Sequence, residues 1–206
     1  NIQNKSLQLS LLLSVPASLG LIIASKEIVN GLFGYGSFTS KDVEMTSDAL
    51  RFFGYGVIAF ALVKILANFF FARDNTKTPF YISSFIVFLN LIISVSFFNE
   101  IGFLIIPIAT SISTWIGVLI FLYLLVKNNY LFLQKKLFKN TLKIIVSSSI
   151  MASVLLYVLN KYSSYFEYTL SLKSVYLLII VGFAGIVYLL SCYLFGLLKI
   201  KTYKTN

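Results

Sequence analysis

The chain contains no histidine, one cysteine and three prolines, and only 12% of its 206 residues are Asp, Glu, Lys or Arg. Without His, the side chain that titrates nearest neutral pH and the commonest metal ligand are both missing, which excludes His-based acid/base chemistry and His-built metal sites. Cys192 alone closes no disulfide within the chain and builds no thiolate cluster. No Gly-x-x-x-x-Gly-Lys-Ser/Thr loop occurs, nor a Gly-x-Ser-x-Gly elbow, nor His-Glu-x-x-His. The carboxylates are scattered, and the connecting segments are too short to hold a soluble catalytic domain. The expectation is a protein that is not an enzyme and carries neither metal nor cofactor.

What is present is apolar. The hydrophobic fraction is 58% and the mean hydropathy +0.89, against roughly 45–50% apolar and about 25% charged residues in a soluble domain. Six stretches approach the roughly 20 apolar residues that cross a bilayer: about Leu7 to Phe33, Ala49 to Ala72, Pro79 to Phe98, Gly102 to Val126, Leu142 to Asn160 and Ser174 to Leu198. None shows the alternating pattern of an outer-membrane barrel, and unpaired amides are not tolerated in lipid, so the spans are helical. The predicted fold class is all-α, a polytopic membrane protein with six transmembrane helices. Pro16 and Pro107 fall inside the first and fourth runs, where each is expected to kink its helix.

Charge partitions between the two ends of these spans. On one side lie Lys5, Arg73, Lys77, Lys127, Lys135, Lys136, Lys139, Lys143, Lys199, Lys201 and Lys204, with the single acid Asp74. On the other lie Lys26, Lys41, Arg51, Lys161 and Lys173, set against Glu27, Asp42, Glu44, Asp48, Glu100 and Glu167. The positive-inside rule places the first side, with both termini, in the cytoplasm. The net charge of +10 is then a matter of topology and contact with membrane lipids, not of nucleic-acid binding. Between the fourth and fifth runs, Tyr130, Leu133, Leu137 and Phe138 recur among lysines; a short amphipathic helix on the membrane surface and a solvated basic loop both fit. The chain thus divides into four membrane helices over 1–127, a basic cytoplasmic linker over 128–141, and two further helices with a basic tail over 142–206.

Polar residues inside apolar runs are the candidates for function. Lys64 lies nine residues before Arg73, about 13 Å along the helix, where a Lys costs roughly 2.5–3.5 kcal/mol on insertion scales. It either lines a watery cavity or pairs with carbonyls, and Asn68, one turn on, is its expected hydrogen-bond partner. In the third run Ser83, Asn90 and Ser94 share a face, and the fourth carries Thr110, Thr114 and Gly117. Two readings stand: close packing through small and hydroxyl residues, or a cation site of Asn90, Ser94, Thr110 and carbonyls freed by Pro107. Packing is preferred because no acid is there to neutralise the ion. Ser147-Ser148-Ser149 and Gly182-x-x-Gly185 read as packing.

Two segments are more distinctive. LFGYGSFTSKDVEMTSDAL, Leu32–Leu50, resembles the outer-side signature of the MurJ/MviN family of lipid II flippases through Phe33, Gly36, Phe38, Thr39 and Asp42. VKILANFFFARDNTKTP, Val63–Pro79, resembles the same family's second signature through Lys64, Arg73, Asp74, Lys77, Thr78 and Pro79, with Phe71 in place of a Tyr.

The resemblance implies a fourteen-helix transporter of two six-helix lobes plus two further helices, of which these six would be the last. The missing partner would be the first eight helices of the same protein, and Asn1 in place of an initiator Met agrees. It implies a bacterial plasma-membrane protein whose lobes rock about a central cavity to carry an undecaprenyl-linked peptidoglycan precursor from the cytoplasmic to the outer leaflet. The principal cations for the pyrophosphate would lie on early helices absent here. The loop from Arg73 to Pro79 is expected to set turn geometry and lobe closure, and the last two helices to form a groove for the lipid tail. A sodium site in the family uses an Asn, an acid one turn later and a Thr on the next helix; Asn90 and Thr110 match, but Ser94 stands where the acid would be. Sodium or proton coupling stays open. The alternatives are a polysaccharide-precursor flippase or multidrug/ion antiporter of similar architecture, and a non-transporting membrane scaffold.

Overall fold

A computed structural model describes residues 2–162 and 172–197. Among the described residues seven α-helices follow one another: α1 Ile2–Ile23, α2 Ser25–Phe33, α3 Ser40–Phe71, α4 Lys77–Ile101, α5 Ile105–Lys127, α6 Lys135–Lys161 and α7 Lys173–Leu194. Among the described residues there is no strand. Among the described residues five stretches are long and apolar enough to cross a membrane, one of which, Lys77–Lys127, runs to 51 residues. It folds back on itself: a 3₁₀ turn at Gly102–Leu104 joins α4 to α5, and Gly102 adopts φ +71°, open to Gly because it has no Cβ. Contacts step down α4 as they step up α5, with Ile86 against Gly117 and Asn90 against Thr110. The chain is therefore all-α and polytopic, with six long apolar helices.

Side by side, these pack in the order α4, α5, α3, α1, α6, α7, and α2 bridges α3 and α7 at one end. Helices α1 and α6 run parallel, since Asn4 bonds the chain at Phe132 and Gln134 while Gln8, one turn on, meets Asn140. One core gathers Leu66, Phe70, Ile82, Phe121 and Leu125 between α3, α4 and α5. A second gathers Met151, Leu155, Leu177, Ala184 and Tyr188 between α6 and α7. Much of the remaining apolar surface faces outward, Phe80, Val87, Phe88, Leu119, Leu178 and Leu190 among it, as lipid-facing helices require.

Several boundaries differ from the sequence expectation. The first run is not one helix: it breaks at Ala24, which takes φ −101° and ψ 18°, and the polar turn Ser25-Lys26-Glu27 sets off on a new axis as α2. The second run begins nine residues earlier than the apolar residues do, at Ser40, because Thr39 and Asp42 form a capping box. That box nucleates helix through a polar segment that hydropathy assigns to a loop. Only 128–134 of the expected linker is non-helical; Lys135 to Thr141 are the first turns of α6, continuous with its membrane part. The basic tail at Lys199, Lys201 and Lys204, and Glu167, lie outside the described residues.

Proline placement is also corrected. Pro107 is the third residue of α5, where its missing N–H would have no intrahelical partner, so it neither kinks the span nor frees a carbonyl within it. Pro79 holds the same position in α4. Pro16 is a true interior proline of α1 and leaves the Leu12 carbonyl, four residues back, without its helix donor. Tyr188 of α7 supplies the replacement, its hydroxyl donating to Leu12 O at 2.6 Å.

Candidate functional site

The acid-bearing signature is a turn built from its own residues. Gly36 takes φ +61°, the Phe33 and Phe38 rings pack 6.4 Å apart, and Thr39 starts α3. The Thr39 backbone N–H and hydroxyl both donate to Asp42 Oδ2, at 2.8 and 2.7 Å, while the Asp42 N–H donates to Thr39 Oγ1 at 3.3 Å. Each residue of the motif thus has a conformational duty at this end of the molecule.

At the opposite, Lys-rich end, the second signature closes α3 and opens α4. Asn75 N–H bonds Phe70 O and Asp74 N–H bonds Phe71 O, with Asp74 at φ +57°: a Schellman cap in which Asp74 occupies the left-handed position usually held by Gly. Asn75 Oδ1 accepts from the Thr78 N–H at 3.1 Å and so caps α4. Arg73 donates to Phe69 O at 2.6 Å and to Tyr130 O at 2.9 Å, with its guanidinium 4.5 Å from the Tyr130 ring centroid. Tyr130 O also accepts from Gln3. This motif therefore ties the α3–α4 turn to the α5–α6 linker and to α1. Lys77 is exposed and Pro79 buried.

Lys64 and Asn68 share a face of α3 and both are exposed; neither bonds the other, contrary to the expected pairing. Lys64 lies seven residues before the end of α3, about 10 Å along the axis, on a surface that no other helix among the described residues covers. Asn90 and Thr110 do meet: Asn90 Nδ2 donates to Thr110 Oγ1 at 2.8 Å, and that hydroxyl donates to Ile106 O at 2.7 Å. Ser94 Oγ is buried without a partner. As a cation site the set fits poorly. Asn90 turns its N–H rather than its oxygen to Thr110, the Ile106 carbonyl is already engaged, and among the described residues no group of three acidic, Cys or His side chains gathers anywhere. The packing reading of this face agrees with Gly117, where a Cβ would stand 2.2 Å from Ile86 Cδ1.

Sequence reasoning missed Lys173. Counted there by position as one more loop charge, it is fully buried at the start of α7. Its Nζ donates to Asn30 Oδ1 at 3.0 Å and to the Gly34 carbonyl, and lies 4.4 Å from the Tyr35 ring centroid. Beside it Ser174 Oγ donates to Gly31 O and accepts from Tyr35 Oη, both at 2.7 Å. The one usable signal was a Lys at the very start of an apolar run, opposite a turn rich in Gly and Tyr.

Six long apolar helices, polar side chains at membrane depth and caps in place of catalytic clusters define a polytopic helical membrane protein. Comparison with known proteins narrows the class. The family described as lipid II flippase MurJ matches residues 1–177, and the chain belongs to that family. It is 32% identical to the probable lipid II flippase MurJ of Rickettsia prowazekii, covering 100% of this chain and 40% of that protein. It is 33% identical to the Thermotoga maritima counterpart over 71% of this chain and 29% of the relative. A solved structure of lipid II flippase MurJ in an inward closed conformation superposes with a TM-score of 0.78 at 29% identity, covering 94% of this chain and 38% of that one. The chain spans about two fifths of the length of the curated relatives it matches over its whole extent.

Proposed function

We propose that this chain is the C-terminal part of a lipid II flippase, supplying the last six of fourteen helices in a bacterial plasma membrane, with both termini cytoplasmic. The whole protein moves a diphosphate-linked peptidoglycan precursor to the outer leaflet by alternating access, its head in the cavity between the lobes and its tail in lipid. Membership of the MurJ family supports the substrate class. The segregation of Lys5, Arg73, Lys77, Lys127, Lys135 and Lys136 from Glu27, Asp42, Glu44, Asp48 and Glu100 supports the orientation.

The observation that carries the reading is the polar pair Lys64 and Asn68, exposed at membrane depth on a face that the described helices leave uncovered. A Lys in that position is costly against lipid and favourable against a wet cavity holding an anion. An anionic head moved outward gains about 2.3 kcal/mol per charge per 100 mV of inside-negative potential, which supplies a driving force without a nucleotide site. The two signatures set the turns on which the lobe moves, and α6 with α7 offers an apolar cleft of about 700 Å³ at its acid-bearing end, suited to the tail.

The test is complementation. This segment is fused to the first eight helices of a related flippase, the host's own flippase is depleted, and outward appearance of lipid II is followed. Rescue by the fusion, with Lys64→Met lowering the rate about tenfold or more, the loss of one charge-assisted contact, is the expected result. A well-inserted fusion that fails to rescue refutes the function, and equal rates with and without Lys64 remove that residue from the site.

A further inference from the structure

Where α1 and α6 run side by side, their Lys-rich ends enclose a small cavity of about 180 Å³ lined by Asn4, Lys5, Gln8, Gln134, Lys136 and Leu137. Its walls hold two ammonium groups and no carboxylate. Asn4 is spent on the backbone, donating to Phe132 O and accepting from the Gln134 N–H. Gln8 Oε1 accepts from Asn140 Nδ2 at 2.8 Å, so its amide N–H groups, with the Lys5 and Lys136 ammoniums, are donors that hold no protein acceptor among the described residues. The same Asn4 and Gln8 bonds set the register of the two helices around the cavity. On α1 the face carrying Lys5 continues through Leu9 and Leu13, which are 60% and 71% exposed. The surface is therefore cationic at the rim and apolar toward the bilayer centre.

We propose that this cavity binds the phosphate of an anionic phospholipid of the leaflet at the Lys-rich end, with one acyl chain lying along Leu9 and Leu13. Basic pockets between membrane helices recognise such headgroups, and the combination of two cations, a free amide donor and an adjoining apolar strip suits a phosphodiester on a glyceride better than a free anion. The site is separate from the translocation surface at Lys64 and asks nothing of flipping; it links α1 to α6, and so the helices preceding the linker to the pair that follows it.

The experiment is native mass spectrometry of the full chain in detergent, titrated with phosphatidylglycerol or phosphatidylcholine. The expected result is preferential retention of phosphatidylglycerol, reduced about thirtyfold in the Lys5→Gln/Lys136→Gln variant, the effect of two juxtamembrane charges. A second pair from the same end, Lys127→Gln/Lys139→Gln, serves as control because neither residue lines the cavity, and is expected to retain the lipid. Equal loss in both pairs means diffuse surface attraction and overturns the site. Displacement of the lipid by millimolar inorganic phosphate makes free phosphate the ligand and overturns the lipid assignment. Since Lys5 and Lys136 are exposed, their loss does not unfold the chain; Gln8→Leu, which leaves both charges but removes the donor together with the Asn140 bond, is expected to weaken phosphatidylglycerol retention, and full retention in it overturns the built cavity.

Discussion

Replacing Lys173 by Met keeps an unbranched side chain of similar length and deletes the ammonium that joins α7 to the turn after α2. The Gly34 carbonyl then loses its side-chain donor, Asn30 Oδ1 loses one partner, and the Tyr35 ring loses a cation on its face. Losing hydrogen bonds to a buried charged group costs about 1.5–3 kcal/mol each, and a desolvated cation–π contact about 2. The substituted methionine recovers apolar contact, so a net loss of about 3 kcal/mol is expected for this end of the molecule. Opening of the turn should then rise about a hundredfold, since each 1.4 kcal/mol is a factor of ten. Hydrogen–deuterium exchange reads this directly, because Gly34 N–H bonds Asn30 O, Phe38 N–H bonds Tyr35 O and Val43 N–H bonds Thr39 O. Exchange over 30–43 should accelerate while exchange in the α3–α5 core, around Phe70 and Phe121, stays as it was. Unchanged exchange over 30–43 in Lys173→Met would refute the reasoning and reduce the buried Lys to a packing element. Lys173→Arg, which keeps the charge, should fall between the two.

Three further outcomes rest on local geometry. Asp74→Gly should stabilise the protein by about 0.5–1 kcal/mol, since φ +57° favours Gly, and Asp74→Val should lose about 1–2 kcal/mol; thermal unfolding followed by size-exclusion recovery distinguishes them, and a fall for both would point to a role for the carboxylate itself. Thr39→Val should cost about 1 kcal/mol by removing the cap of α3, and Thr39→Ser should be close to neutral in the same assay. Tyr188→Phe should cost about 0.6–1.7 kcal/mol, the range for hydrogen bonds between membrane helices, but almost nothing in a Pro16→Ala background, where the restored N–H reclaims the Leu12 carbonyl; equal costs in both backgrounds would break the link between the two residues.

Hydropathy made the six apolar helices legible because span length is dictated by bilayer thickness, which leaves little freedom. The same reading misplaced the start of α3, because a capping box is worth about a kilocalorie yet adds nothing to an average of apolar residues. It treated the chain from Leu7 to Phe33 as one span since the bend at Ala24 depends on what α2 packs against, α3 and α7, and not on its own sequence. Lys173 escaped for a related reason: its partners Asn30 and Gly34 are 143 and 139 residues away, and no periodicity within one helix reports such a distance. Asn90 and Thr110 were placed together correctly, since adjoining helices joined by a short turn leave few registers. Which atom of the amide faces the hydroxyl could come only from the structure.

The two signatures that made the family recognisable turn out to be mostly conformational. At one end Gly36 supplies a positive φ and Thr39 with Asp42 a cap; at the other, Asp74 supplies a positive φ and Arg73 binds the Phe69 and Tyr130 carbonyls. A segment of this kind is recognisable because few residues satisfy a cap or a left-handed position, so its pattern is rigid even where no chemistry occurs. Chemistry at membrane depth has the opposite character. One Lys on an exposed helix face satisfies no backbone geometry and costs about 2.5–3.5 kcal/mol against lipid, so its presence calls for water, an anion or another polar partner. Lys64 meets that description and stands on the same helix that both signatures terminate. The caps therefore fix the two ends of α3, while the charge between them stands on a face that the other described helices leave open; the flippase proposed above would use both, the caps to hold α3 and Lys64 to meet an anion.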